Sequence, residues 1–297
     1  MIKDLKGHIL AVLTVLIWST TFIVSKLLLE QFTPLQILLI RFAMAIIFLS
    51  ILYPKFKKPT SFKEEFLFLL TSATLVGYFI FENSALKHTY SSNVSLIVST
   101  IPLITGVLSA VLFKTHFFNK KSLLGFAIAY SGVALIIING NQLVGIEPIG
   151  DFFALLASIM FALYSIAMQR IDKTYHLIEM TRKIFIYGVM ILAILNLIVR
   201  DKIQVQEITP PLVISFLFLG IVAASLAFLM WNRAIHIIGS VKTNQYIYLV
   251  PVITTLLSAI IIHEKITAIT IVGALLIIGG LYLSEKLPSS ESKAVIS

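Results

Sequence analysis

Two oppositely charged residues, Arg41 and Glu82, stand inside long apolar runs of this 297-residue chain. A guanidinium there could hold an anionic group; a carboxylate could hold a cation or carry a proton. Burying a charge is costly unless it is paired, so an ionisable residue within an apolar span is a functional candidate. Both lie on the order of 10 Å from the end of their runs at about 1.5 Å per residue. They are expected to face the protein interior, as a structural ion pair, as separately solvated groups, or as groups that bind a charged solute or couple its movement to protons.

Two stripes of polar residues run beside them. Ser91, Ser95, Ser99, Pro102, Thr105 and Ser109 recur at intervals of three and four, and so do Ser240, Asn244, Tyr248, Pro251, Thr254 and Ser258. That spacing places each set on one face of a helix. Small hydroxylated residues also let helices pack closely in lipid, which suffices for Ser109 and Ser258. Asparagine and tyrosine are harder to hide in hydrocarbon. Ser95, Ser99, Asn244 and Tyr248 are therefore expected to line a cavity. Pro102 and Pro251 each remove a backbone donor inside an apolar run, and kinks are expected there. Mid-span aromatics, chiefly Trp18, Tyr78 and Tyr164, would suit an apolar or cationic organic solute. Asn83 and Asn232 complete the set of candidate pathway residues.

No other chemistry is legible. There is no phosphate loop, dinucleotide glycine fingerprint or zinc motif, since the run His263-Glu264-Lys265 lacks a second histidine. The histidines are scattered without ligand spacing. No catalytic residues, metal or cofactor are expected, and the chain is not read as an enzyme. Cysteine is absent, which excludes disulfides and thiol chemistry.

The chain is 58% hydrophobic and 12% charged, far too poor in charge for a soluble surface of this size. Apolar runs of about 20 residues match a bilayer core about 30 Å thick. Ten spans are expected, near 8–29, 34–53, 65–85, 92–113, 121–140, 149–170, 177–199, 211–232, 241–262 and 266–284. The first reads as a span, not a cleaved signal. A net charge of +9 could suggest nucleic acid, but the basic residues fall between spans and form no polybasic block. Seventeen lie on the side of the N-terminus and four on the other, with Lys26 and Arg41 within spans; Lys26 is close enough to a span end to snorkel. This places both termini in the cytoplasm of a multi-pass protein of the cell (inner) membrane.

A shift of 149 residues superimposes Pro102 on Pro251, Thr105 on Thr254, Ser109 on Ser258 and Asn83 on Asn232. The run "LAVLTVLIW" matches "FALLASIMF" in the same sense. Two repeats of five spans follow, 1–141 and 149–286, with a tail at 287–297. Five is odd, so the second repeat enters from the opposite side, an arrangement of secondary transporters.

The runs "AVLTVLIWSTTFIVSK", "ENSALKHTYSSNVSLIVSTIPLITGVLSA", "SLLGFAIAYSGVALII", "VPVITTLLSAIIIHEK" and "IVGALLIIGGLYL", together with Arg41, resemble the ten-helix EamA-type members of the drug/metabolite transporter superfamily over nearly the whole chain. The family's acidic-basic pair after the proline helix is present as Glu264–Lys265 but reads Lys114–Thr115 in the first repeat. The resemblance implies an all-α membrane protein of ten transmembrane helices in two inverted five-helix repeats. It implies transport of small organic metabolites such as amino acids by alternating access, with export favoured over import or multidrug efflux. A channel-like facilitator and an intramembrane enzyme are the readings from other classes. The expected partners are a small-molecule solute and the lipid bilayer, with no nucleic acid, in a monomer or weak homodimer.

Overall fold

The computed structural model describes residues 2–57, 59, 61–88, 94, 97–113, 120–140, 148–172, 174–199, 209–253, 256 and 267–285. Every regular element among them is helical: α1 (Ile2–Leu29), α2 (Pro34–Leu52), α3 (Phe62–His88), α4 (Ile101–Phe113), α5 (Lys120–Gly140), α6 (Pro148–Arg170), α7 (Leu177–Val199), α8 (Pro210–Ile238), α9 (Ser240–Gln245) and α10 (Ala268–Glu285). Five of them, α2, α3, α6, α7 and α8, are long and apolar enough to cross a membrane; α4 and α10 contain shorter apolar stretches.

Helix starts follow local chemistry. Thr33 caps α2 through a reciprocal box with Gln36, and Pro34 opens the helix, where its missing N–H is no loss. Residues Ser99 and Thr100 form a turn, and the Thr100 N–H donates to the Ile97 carbonyl at 2.9 Å. Residues 97 and 98 before the turn are helical and α4 begins just beyond it, so the helical path is interrupted here with Pro102 in the first turn of α4. A proline at that place breaks no hydrogen bond. At the other proline the backbone tightens: residues Tyr246–Tyr248 form a 3₁₀ turn, and helix resumes through 253 with Pro251 inside it. Gly239 separates α8 from α9 with φ of 85°, a conformation that a side chain would strain.

Within α8 the stretch Phe218–Leu226 widens into a π-helix. The Ser225 hydroxyl donates to the Gly220 carbonyl five residues back, at 2.9 Å. Gly220 presses on α2, where an added Cβ would come within 2.6 Å of the Met44 Cβ. The Trp18 indole N–H donates to the Ala223 carbonyl in the widened stretch at 3.2 Å.

The two parts of the chain interdigitate. Among the described residues the most extensive pairings are α5 with α10, α3 with α6, α1 with α8 and α2 with α7, while α4 rests on α6 and α9. Every one of these joins a helix before residue 141 to one after it. The α5–α10 pair is nearly backbone against backbone: a Cβ on Gly280 would lie 2.5 Å from the Ala129 nitrogen and one on Gly132 2.5 Å from the Gly273 carbonyl. Such close approach by small residues is a means of joining helices in lipid, where apolar burial gives no drive.

Candidate functional site

A cavity of about 570 Å³, its open part included, lies among α1, α2, α3, α4, α6, α8 and the stretch 246–253 that follows α9. Trp18 and Thr21 come from the later half of α1, Arg41 from the earlier half of α2, and Tyr78, Phe79 and Glu82 from the later half of α3. Val98, Ser99 and Ile101 precede or open α4. These positions place the cavity centrally and toward the end of the bundle away from the chain's N-terminus. Phe161, Phe228, Ile247 and Val250 complete the wall.

The walls are mostly apolar, with five aromatic rings among them. Trp18 packs its ring 5.0 Å from Phe228, 5.8 Å from Phe161 and 4.8 Å from Trp231. Tyr78 lies 4.8 Å from Phe161. Such offset and edge-on pairs hold one another in place.

Two charges face this cavity. The Arg41 guanidinium lies over the Phe79 ring, 4.4 Å from its centroid, with the residue only 4% exposed. Its Nε is buried without a hydrogen-bond partner. Glu82 accepts a 2.5 Å hydrogen bond from the Tyr78 hydroxyl at Oε1. Among the described residues no ion pair within 4 Å joins Arg41 to Glu82, and none other engages either charge.

Other candidate residues hold the helices together. Tyr164 donates its hydroxyl to Asn232 Oδ1 at 2.5 Å, and Asn232 Nδ2 donates to Thr181 Oγ1 at 3.1 Å. Asn244 accepts from the Ser165 hydroxyl at 3.1 Å and donates to Thr105 Oγ1 at 2.7 Å. All these groups are buried, and each network ties three helices. Tyr248 packs against Phe126 of α5, 6.4 Å between centroids, and Asn83 is buried on α3. Thus Trp18, Arg41, Tyr78, Glu82 and Ser99 are gathered at the cavity. Tyr164, Asn83, Asn232, Asn244 and Tyr248, also expected in the pathway, are not among the residues that line it. Ser95 lies outside the described residues.

Sequence reasoning did not single out Phe161, Phe228, Ile247 and Val250 as lining. The signal was present in the repeat. Phe79 and Phe228, Val98 and Ile247, and Ile101 and Val250 are each 149 residues apart, and Trp18 and Phe161 occupy matching places in the two related runs. The apolar wall is duplicated. The charges are not: the same shift carries Glu82 onto Trp231, and no basic residue stands between Ile184 and Met190, where Arg41 would fall.

The end of the bundle nearest the N-terminus is closed by polar contacts. His8 Nδ1 and the Tyr246 hydroxyl are 2.7 Å apart, joining α1 to the 3₁₀ turn. The Ser240 N–H donates to Gln169 Oε1 at 2.9 Å, and His236 Nε2 lies 3.3 Å from the Met168 carbonyl. At the same end Arg182, within α7 and buried, donates to the carbonyls of Tyr53 and Lys55. Lys183 pairs with Glu65 at 2.5 Å.

An all-helical, multi-pass membrane protein with an apolar-walled cavity that two opposite charges face is the class that these features define. The chain belongs to the EamA-like transporter family, which it matches twice, over residues 5–138 and 148–285, and so to the drug/metabolite transporter superfamily; it is a transporter and not an enzyme. An uncharacterized transporter of Archaeoglobus fulgidus is 25% identical over 284 residues, spanning 94% of this chain and 97% of that relative. A probable amino-acid metabolite efflux pump of Salmonella typhimurium is 26% identical over 295 residues, spanning 94% of each. A solved structure shares the fold with a TM-score of 0.77 at 18% identity, over 95% of this chain and 99% of the other.

Proposed function

We propose that the chain exports small organic metabolites, amino acids or related solutes, across the cell membrane by alternating access. The observation that carries this reading is the central cavity, walled by repeat-related aromatic and aliphatic residues and holding Arg41 and Glu82. The name of the Salmonella relative supports the solute class and the direction.

The carrier consists of two inverted five-helix repeats, 1–141 and 149–286, in ten transmembrane helices, with both termini cytoplasmic. The helix pairing supports this reading. Exchanging each helix for the one five places along turns α1–α8 into α6–α3, and leaves α2–α7, α4–α9 and α5–α10 unchanged, and all of these pairs are in contact. Substrate sites of such carriers lie between the repeats, and residues of both parts of the chain line the cavity. Trp18, Arg41, Tyr78, Glu82 and Ser99 are its pathway residues, and the carrier works as a monomer or weak homodimer.

Counterflow in proteoliposomes tests the reading. Preloaded amino acid should drive saturable uptake of labelled amino acid against its gradient. Flux that rises linearly with concentration and shows no counterflow would indicate a channel and reject the proposal.

A further inference from the structure

We propose that Arg41 and Glu82 form a two-ended site for a zwitterionic solute with an apolar body: its carboxylate binds the Arg41 guanidinium, and its ammonium binds Oε2 of Glu82, to which no described residue donates. This deepens the transport reading above and rests on it.

Three observations carry the assignment. First, the two charges attract each other across the cavity, yet among the described residues neither has an ion-pair partner within 4 Å. Arg41 is 96% buried by its 4% exposure, its Nε is unpaired, and an aromatic face is its contact. A buried, incompletely compensated charge costs several kcal/mol, and arginine's planar fork suits a carboxylate. Glu82 uses one oxygen to receive Tyr78, and no described residue donates to the other. Second, the two groups line one cavity without pairing within 4 Å. A ligand with both signs satisfies both groups at once; a singly charged one leaves the other bare. Third, the charges break the duplication of the wall. Packing needs account for the paired residues Phe79 and Phe228, Val98 and Ile247, but Glu82 corresponds to Trp231. The polar ends are added to one half of a symmetric apolar container. The remaining aromatic surface of Trp18, Phe161 and Phe228 receives the apolar body.

The test uses L-leucine, L-leucinamide, which lacks the carboxylate, and N-acetyl-L-leucine, which lacks the ammonium. Binding to the purified full chain is followed by tryptophan emission, since Trp18 lines the cavity. Leucine is expected to bind at least tenfold more tightly than either analogue. Arg41→Gln should remove the preference over leucinamide and keep that over the acetylated form; Glu82→Gln should do the reverse. Thermal unfolding of each variant, and of Arg41→Lys, which retains the charge and part of the preference, verifies folding. A wild-type protein that binds all three probes alike, or none, overturns the proposal, as does a folded Arg41→Gln with its preference intact. The transport reading fails separately. Charge-selective binding without saturable counterflow rejects the carrier and leaves the site; saturable counterflow of leucine and leucinamide at equal affinity rejects the site and leaves the carrier.

Discussion

Tyr164 and Asn232 are locked together by a 2.5 Å hydrogen bond between fully buried partners, on α6 and α8. Asn232 passes the chain on to Thr181 of α7. Tyr164→Phe leaves the Asn232 carbonyl unpaired, which costs about 1–3 kcal/mol. Asn232→Ala should cost a similar amount, and the double variant less than their sum, because the pair is one network. Thermal unfolding of the purified variants measures this. Unchanged stability with weakened solute binding would put both residues in the pathway instead.

Two adjacent glycines of α10 should respond oppositely to alanine. A Cβ at Gly280 would lie 2.5 Å from the Ala129 nitrogen and 2.6 Å from the Gly125 carbonyl, whereas one at Gly279 meets nothing within 4 Å. Gly280→Ala must push two backbones apart, an overpacking cost of about 1–3 kcal/mol. Gly279→Ala removes a flexible residue from a helix interior and should gain up to about 1 kcal/mol. Melting temperatures of the two variants, compared with wild type, decide the point.

The contact of His8 with Tyr246 joins α1 to the turn that precedes Pro251. If the end of the bundle nearest the N-terminus must part for solute to pass, fixing this contact should stop transport. The absence of native cysteine makes the experiment clean. His8→Cys with Tyr246→Cys, bridged by a short thiol cross-linker, is expected to lose nearly all counterflow and regain it on reduction. Full counterflow by completely bridged protein would show that this end does not open there.

Only two tryptophans report on the interior, and they touch at 4.8 Å. Trp18 lines the cavity; Trp231 stands behind it, fully buried. A bound solute should therefore change emission in Trp231→Phe and leave it nearly unchanged in Trp18→Phe. The titration amplitudes of the two variants check this, and the reverse order would mean that solute lies elsewhere.

How much of this could be read from residues alone varies by element. The spans expected to begin near 34, 149 and 211 start within a residue of that, at Pro34, Pro148 and Pro210, where proline and its preceding residue constrain the backbone locally. Arg41 and Glu82 stood out because charge is rare in an apolar run. Asn244 shows the limit. Its spacing fixes the helix face it occupies, but whether that face meets a cavity or Thr105 depends on a neighbour 139 residues away. The π-helix of α8 was equally hidden. Gly220 and Ser225 are small residues in an ordinary apolar run until Met44 and Trp18 are brought against them. At Pro102 the proline was seen, but the turn at Ser99 and Thr100 just before it was not.

The interdigitation of early and late helices has a consequence for synthesis. At roughly 5–20 residues per second, α1 to α5 enter the membrane on the order of 10 s before α6 to α10 have all been made. Through that interval the first five helices lack their main partners, and the glycine face of α5 and the polar faces of α3 and α4 stand open to lipid or to whatever escorts nascent chains. The period of greatest vulnerability for this transporter is therefore the time between its halves, so premature stops after residue 141 should be cleared by quality control and should not persist as half-carriers.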